Sequence, residues 1–298
     1  MAHPDPAPAD DLNDDRLHAS VAQLFVYPVK SCAGVALQEA ELTETGLDLD
    51  RAWMVVDATG RFVTQRELPR MALVVPQIRR YEVVLRAPGM LALHLGMNEV
   101  VSPTRAKVWA DTVDAWDMGD VAAQWFSDFL GQPGLRLVRF DPEVRRLSSL
   151  KWTGGIESPN QFADGFALLV TTTAALDGLN ARMAANGVAA VDMRRFRPNL
   201  VLAGTAAHDE DRVDELHIAT AGGPVRLKLV KPCARCPIPN VDPATGEPAP
   251  QVMDALQTYR ADPRVGGALT FGMNAIVLDG VGQRLRVGDA VVGDWQFD

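Results

Sequence analysis

The sequence predicts an α+β chain dominated by barrel-like or strongly bent sheets, with few helices. Three observations predict it. Short apolar runs of strand length recur through most of the chain, only two segments carry helical spacing, and 298 residues suffice for two closely associated lobes.

Residues 1–18 are rich in Pro, Ala and Asp, with too few apolar side chains to repay ordering, and are expected to form a disordered tail. Val21–Tyr27 and Val35–Leu42 read as strands around the sharp break Pro28–Gly34. Ala52–Val56 and Arg61–Gln65 flank Asp57-Ala-Thr-Gly60, a hairpin signature. Further β-like runs follow at Leu73–Arg79, Glu82–Arg86, Leu91–Leu95 and Lys107–Trp109. Asp120–Leu130 reads as a helix, with Asp120 as N-cap, Val121, Trp125 and Phe129 at helical spacing, and Gly131 as the stop. A second helix is expected from about Thr173 to Ala185, burying Leu176, Leu179 and Met183 and ending at Gly187. Strand-like runs return at Leu200–Ala203, Glu215–Ala219, Val225–Val230, Ala275–Leu278 and Ala290–Val292. Between the helices, Arg146–Asp164 is polar, contains glycine and reads as the connection between lobes, folded over a site. The expected division is therefore residues 20–145 and 146–295.

The charge is −9, and residues 1–20 supply −4 of it through Asp5, Asp10, Asp11, Asp14 and Asp15 against Arg16. An acidic balance argues against a nucleic-acid binder or an anionic-membrane binder, while local basic clusters could still hold a small anion. Cys32, Cys233 and Cys236 are too few for a disulfide framework, so a reducing compartment is expected. The first twenty residues hold no apolar signal core, and no apolar stretch reaches the ~18 residues of a membrane helix. A soluble cytoplasmic protein, with no membrane partner, is the expectation.

Cys233-x-x-Cys236 concentrates the chemistry. Zinc would need four ligands, and His3, His18, His94, His208 and His217 are not paired at ligand spacing. A thioredoxin-like pair opens a helix, which Pro237, Pro239 and Pro243 disfavour. An all-cysteine iron–sulfur cluster needs four thiolates and the chain has three. Inert thiols sit poorly beside Lys231 and Arg235, whose charge would stabilise a thiolate. The pair alone leaves these readings open.

Over a longer stretch, KPCARCPIPNVDPATGE (Lys231–Glu247) resembles the K-P-C-x-R-C…V-D-P-x-T-G segment of the MOSC domain family. Tyr27-Pro-Val-Lys-Ser-Cys-Ala-Gly34, Asp50–Asp57 and Thr64-Gln-Arg-Glu67 are similar to that family's N-terminal β-barrel domain. Phe162–Phe166, Phe196–Val201, Phe271–Asn274 and Val287-Gly-Asp289 are similar to the MOSC domain itself. The resemblance spans about residues 20–293 and is strongest to the molybdenum enzymes that reduce amidoximes and other N-hydroxylated compounds.

It implies a β-barrel-rich MOSC domain packed on an N-terminal β-barrel-like domain, with a molybdenum cofactor (Mo-molybdopterin) between them. Cys236 would be the metal ligand and catalytic thiolate, as soft thiolates suit such a centre. Lys30, Ser31 and Arg51 match phosphate-binding positions, Arg197 and Asn199 match pterin contacts, and Asp164 and Arg235 line the same site. From the residues themselves, the Pro-to-Gly turn at Lys30-Ser31 suits converging backbone N–H groups. Pro198 should bias Arg197 toward extended backbone. Cys32 and Cys233 are expected as bystanders, and Trp53 and Tyr259 as packing residues. With no G-x-G-x-x-G and no four-cysteine cluster, electrons should come from a separate flavoprotein reductase or iron–sulfur protein. The other class of function the resemblance allows is a carrier of cofactor or sulfur, related to molybdenum-cofactor sulfurases.

Overall fold

Alternation along the first strand shows how the protein is layered. The computed structural model describes residues 15–296. In strand Leu17–Val26, Val21, Leu24 and Val26 face one apolar cluster, while Phe25 joins another packed around a helix. Successive side chains point to opposite faces, so this strand is covered on both sides by its end. The expected tail lies outside the described residues as far as position 14. Leu17 and His18, also assigned to it, are instead paired with Gly293 and Val292.

Seven strands close into a barrel. In order around the ring they are Leu168–Thr172, Leu200–Ala203, Leu17–Val26, Ala290–Trp295, Val213–Thr220, Gly223–Ala234 and Ala268–Asp279, the last pairing back to the first. The Leu168–Thr172 and Leu200–Ala203 pair is parallel and is bridged by helix Thr173–Ala185. The Thr172 hydroxyl caps that helix by accepting from the Ala175 N–H at 3.2 Å. Ala175, Leu179 and Met183 are its buried face, Leu176 is only partly buried, and Gly187 takes the left-handed turn beyond it. The ladder crosses the expected 20–145/146–295 division, because the first strand completes a barrel whose other members all lie beyond residue 168.

The second lobe holds a four-stranded sheet, Trp53–Val56, Arg136–Phe140, Asp111–Asp117 and Ser102–Val108, and a three-stranded one, Val75–Ile78, Glu82–Arg86 and Leu93–Gly96. Helix Asp120–Leu130 packs Trp125, Phe126 and Phe129 against Trp53 and Leu137. Its N-cap is Gly119, not Asp120, whose carboxylate is drawn to Arg136. Val121 is 76% exposed, because the first turn overhangs the core. Arg61–Gln65 makes only isolated bridges before turning away, while the acidic strand Asp111–Asp117 lay hidden from an apolar pattern. Short helices at Leu150–Thr153 and Gln251–Gln257 are further additions.

Candidate functional site

Every residue the sequence nominated lines one cleft between the lobes: Lys30, Ser31, Arg51, Asp164, Arg197, Asn199, Arg235 and Cys236. The cleft holds about 810 Å³ of space, counting its open mouth. The turn after the first strand supplies Lys30 and Ser31, and the loop before Trp53–Val56 supplies Arg51. Asp164 comes from the connecting segment, Arg197 and Asn199 precede the Leu200–Ala203 strand, and Arg235 and Cys236 follow Gly223–Ala234.

Backbone strain concentrates here. Ser31, Arg51 and Arg197 have φ of 65°, 52° and 58°, and Trp109, a partner of Asp164, has 56°. Such angles are uncommon outside glycine and persist only where surroundings over-determine them. Pro198 was expected to hold Arg197 extended; instead Arg197 is left-handed. A following proline disfavours the right-handed well, and long-range contacts choose between the remaining two. Arg197 Nη1 donates to the Cys32 carbonyl at 2.6 Å, and its guanidinium lies 4.2 Å from the Tyr27 ring centre. Arg51 lies 4.4 Å from the same centre.

Five cations line the cleft (Lys30, Arg51, Arg66, Arg197, Arg235) against a single carboxylate, Asp164. Burial pulls the Arg197 guanidinium down to about 10, with Tyr27 opposing and Arg51 reinforcing the shift. Burial also lowers Lys30, against the pull of Asp164, which accepts from its Nζ at 2.6 Å. Lys30 further donates to the Phe162 carbonyl at 2.7 Å. Desolvation works against the Asp164 charge, but the Lys30 ammonium, their hydrogen bond and Arg51 outweigh it and hold the carboxyl below its usual range. Arg235 donates to Cys233 Sγ at 3.0 Å and to the Phe196 carbonyl at 2.8 Å, leaving its buried Nε without a partner among the described residues.

One expectation changes in detail. The Lys30-Ser31 turn does not present a row of free N–H groups: those of Lys30, Cys32 and Ala33 bond to the carbonyls of Trp53, Val29 and Val74. An anion must therefore be met mainly by side chains. Asn199 is fully buried, and its amide accepts from Leu169 N–H at 3.1 Å and Arg51 at 3.2 Å while donating to the Phe25 carbonyl. It ties Arg51 to the barrel wall. Cys32 is fully buried, and burial pushes its thiol up to about 12; Cys236 is half-buried at the cleft.

The residues that sequence reasoning passed over are Thr64, Arg66, Asn274, Trp109 and Arg146. Thr64 and Arg66 stood inside a recognised block but had been given no role. Trp109 Nε1 donates to Asp164 at 3.3 Å. Buried Arg146 donates to Asn160 and to the carbonyls of Gln161 and Ala163, fixing the loop that carries Asp164.

Comparison with known proteins agrees with this architecture. Residues 18–133 match the MOSC N-terminal beta barrel domain and residues 157–292 the MOSC domain. Mitochondrial amidoxime reducing component 2 of Homo sapiens is 37% identical, over 81% of this chain and 72% of its own. Mitochondrial amidoxime-reducing component 1 of Mus musculus is 34% identical over 91% and 81%. The molybdenum cofactor sulfurase of Bos taurus is 30% identical over 85% of this chain but only 30% of its own length. The closed barrel, the second lobe and both matched domains place this chain in the MOSC family, with amidoxime reducing components among its relatives.

Proposed function

We propose that this protein is a molybdenum-cofactor-dependent reductase of N-hydroxylated compounds, working with electrons from a separate flavoprotein or iron–sulfur protein. Three free cysteines suit a reducing compartment, for which we propose the cytoplasm. The observation that carries the reading is a half-buried thiol, Cys236, on a cleft with five cations and one carboxylate. Such a donor set fits an anionic cofactor that needs one soft ligand. The buried Arg235 Nε, unpartnered among the described residues, is a further donor such an anion could satisfy.

Cys236 would hold the metal, and Lys30, Ser31, Arg51, Arg197 and Arg235 would meet the cofactor's phosphate and pterin. When bound, the metal centre supplies two-electron chemistry: an N–OH group, two electrons and two protons give N–H and water. The protein's share is placement. Asn199 and Asp50 fix Arg51, Cys32 and Tyr27 fix Arg197, and Arg146 fixes the Asp164 loop. Rigid cations need no reorganisation when charge develops, which favours the reaction.

Protein from a cofactor-competent host should contain molybdenum and pterin and reduce benzamidoxime with an artificial electron donor. Cys236→Ser should lose that reduction. Protein that holds no molybdenum under those conditions sinks the proposal. The likeness to a sulfurase supports the carrier reading weakly; stoichiometric transfer of cofactor to an apoenzyme, without turnover, would establish it instead.

A further inference from the structure

A second hollow of about 600 Å³, counting its open side, adjoins the cationic cleft. Arg66 lines both, and Pro237, on the wall of the second, follows Cys236 directly. The short turn Ile238–Asn240 is the partition: Ile238 lines the cleft and Asn240 the groove. Its walls are fixed. Arg195 donates to the Pro239 carbonyl at 3.2 Å and pairs with Asp242 at 2.8 Å, and Ala249 N–H bonds to the Asn240 carbonyl at 2.8 Å. Gly246 leans on the other lobe, where a Cβ would lie 3.4 Å from Leu73 Cδ1.

The lining chemistry is one-sided. Pro69, Pro237, Pro248 and Pro250 make a rigid apolar surface, and no carboxylate is among the lining residues. Asn240 spends its side-chain oxygen on the Met253 N–H at 3.0 Å, so what remains for a ligand is its Nδ2 donor. The Arg66 guanidinium is 4.8 Å from the Trp109 ring centre and uses Nε on Thr64 at 3.1 Å. Its Nη groups have no partner among the described residues. Gln65 spends its Nε2 on the Ser31 carbonyl at 2.6 Å, so the groove offers flat apolar surface, the Arg66 and Asn240 donors and one neutral amide oxygen.

We infer that this groove binds the organic body of the N-hydroxylated substrate, and that Arg66 selects bodies bearing an anionic or acceptor group over cationic ones. The inference rests on the reductase reading. Continuity at Arg66 and Pro237 lets one molecule lie in the groove with its N–O group at Cys236. Prolines cost little ordering on binding, so a planar aryl body gains burial without rearranging the wall. Arg66 is exposed, so its charge contributes modestly and is screened by salt.

The test uses the molybdenum-loaded protein and two benzamidoximes alike except for a 4-carboxylate or a 4-trimethylammonium group. The kcat/KM per bound molybdenum is measured for each, with calorimetric titration of the two corresponding benzamidines. The carboxylate should be favoured about fivefold at low salt in both measurements. Arg66→Gln should erase the preference and Arg66→Glu reverse it, with molybdenum content and melting temperature recorded for both variants. Equal values for the two probes, or a preference that survives Arg66→Glu, overturn the inference. Molybdenum-loaded protein that reduces neither benzamidoxime defeats the reductase reading alone, and benzamidine binding still decides the groove.

Discussion

The Arg51 guanidinium donates from Nη2 to the main-chain oxygen of Arg197 at 3.1 Å, and both residues occupy left-handed backbone. One strained arginine thereby braces another across the cleft. Arg51 also pairs with Asp50, which in turn accepts the Tyr27 N–H at 2.8 Å.

Removing Arg51 leaves Asp50, its side chain 2% exposed, without its ion partner. Arg51→Leu should therefore destabilise the fold by about 3 kcal/mol, read as a lower urea midpoint at pH 7. Adding Asp50→Asn should recover part of the loss, since the orphaned charge is gone. An Arg51→Leu midpoint equal to the parent's would show that the pair is not structural.

Two of the three thiols should separate by reactivity. Iodoacetamide at pH 8 should label Cys236 in cofactor-free protein and spare Cys32, which is buried with its thiol pushed up to about 12. Cys32 should label only on unfolding. Mass mapping of the modified peptides checks this, and early labelling of Cys32 would contradict the packing of its turn. Bound cofactor should protect Cys236.

Two buried groups of opposite sign should hold stability on a plateau between about pH 4.5 and 6.5, with a fall on either side. Burial, reinforced by Asp211, raises Glu210 to about 8, so the folded state holds an extra proton between the ordinary carboxyl range and pH 8. Its contribution is full at low pH and is lost as pH rises toward 8. Burial, with Arg260 and Arg182, lowers His208 to about 4, so its contribution is lost as pH falls from about 6.5 toward 4. Glu210→Gln should leave stability near pH 5 little changed and raise it above pH 8 by about 3 kcal/mol. Melting temperatures across pH 4–9 test this, and a parallel pH profile in the variant would refute the assignment.

Barrel closure should hinge on Gly272. Its φ is 78°, and a Cβ there would sit 2.5 Å from the Val170 carbonyl oxygen and 2.6 Å from Thr171 Cγ2. Gly272→Ala must strain the backbone and part the two strands that close the ring, costing roughly 2–4 kcal/mol. A melting temperature within a degree of the parent's would mean that the ring closes differently.

The cleft was legible because its members stand in contiguous blocks whose residue types carry their chemistry openly: Cys236 beside Arg235, Lys30 beside Ser31. Both long helices were legible for a similar reason, since spacing and a stop glycine act within one or two turns. Strand Leu168–Thr172 was not, because all five of its residues are buried and leave no alternation to see. Nor was the part played by Trp109, which bonds to Asp164 from a strand end whose own neighbours say nothing about the cleft. Arg66 stood in a recognised block with no sign of its role.

By itself, the sequence determined the fold class, both long helices, many of the strands and where thiol and cationic side chains were available, because propensity, periodicity and turn chemistry are local. The tertiary structure alone decided that Leu17 pairs with Gly293, that Arg197 turns left-handed, and that Asp164 is spent on Lys30. Each of these is settled by a hydrogen bond or a charge from a distant part of the chain, whose position only the closed barrel fixes.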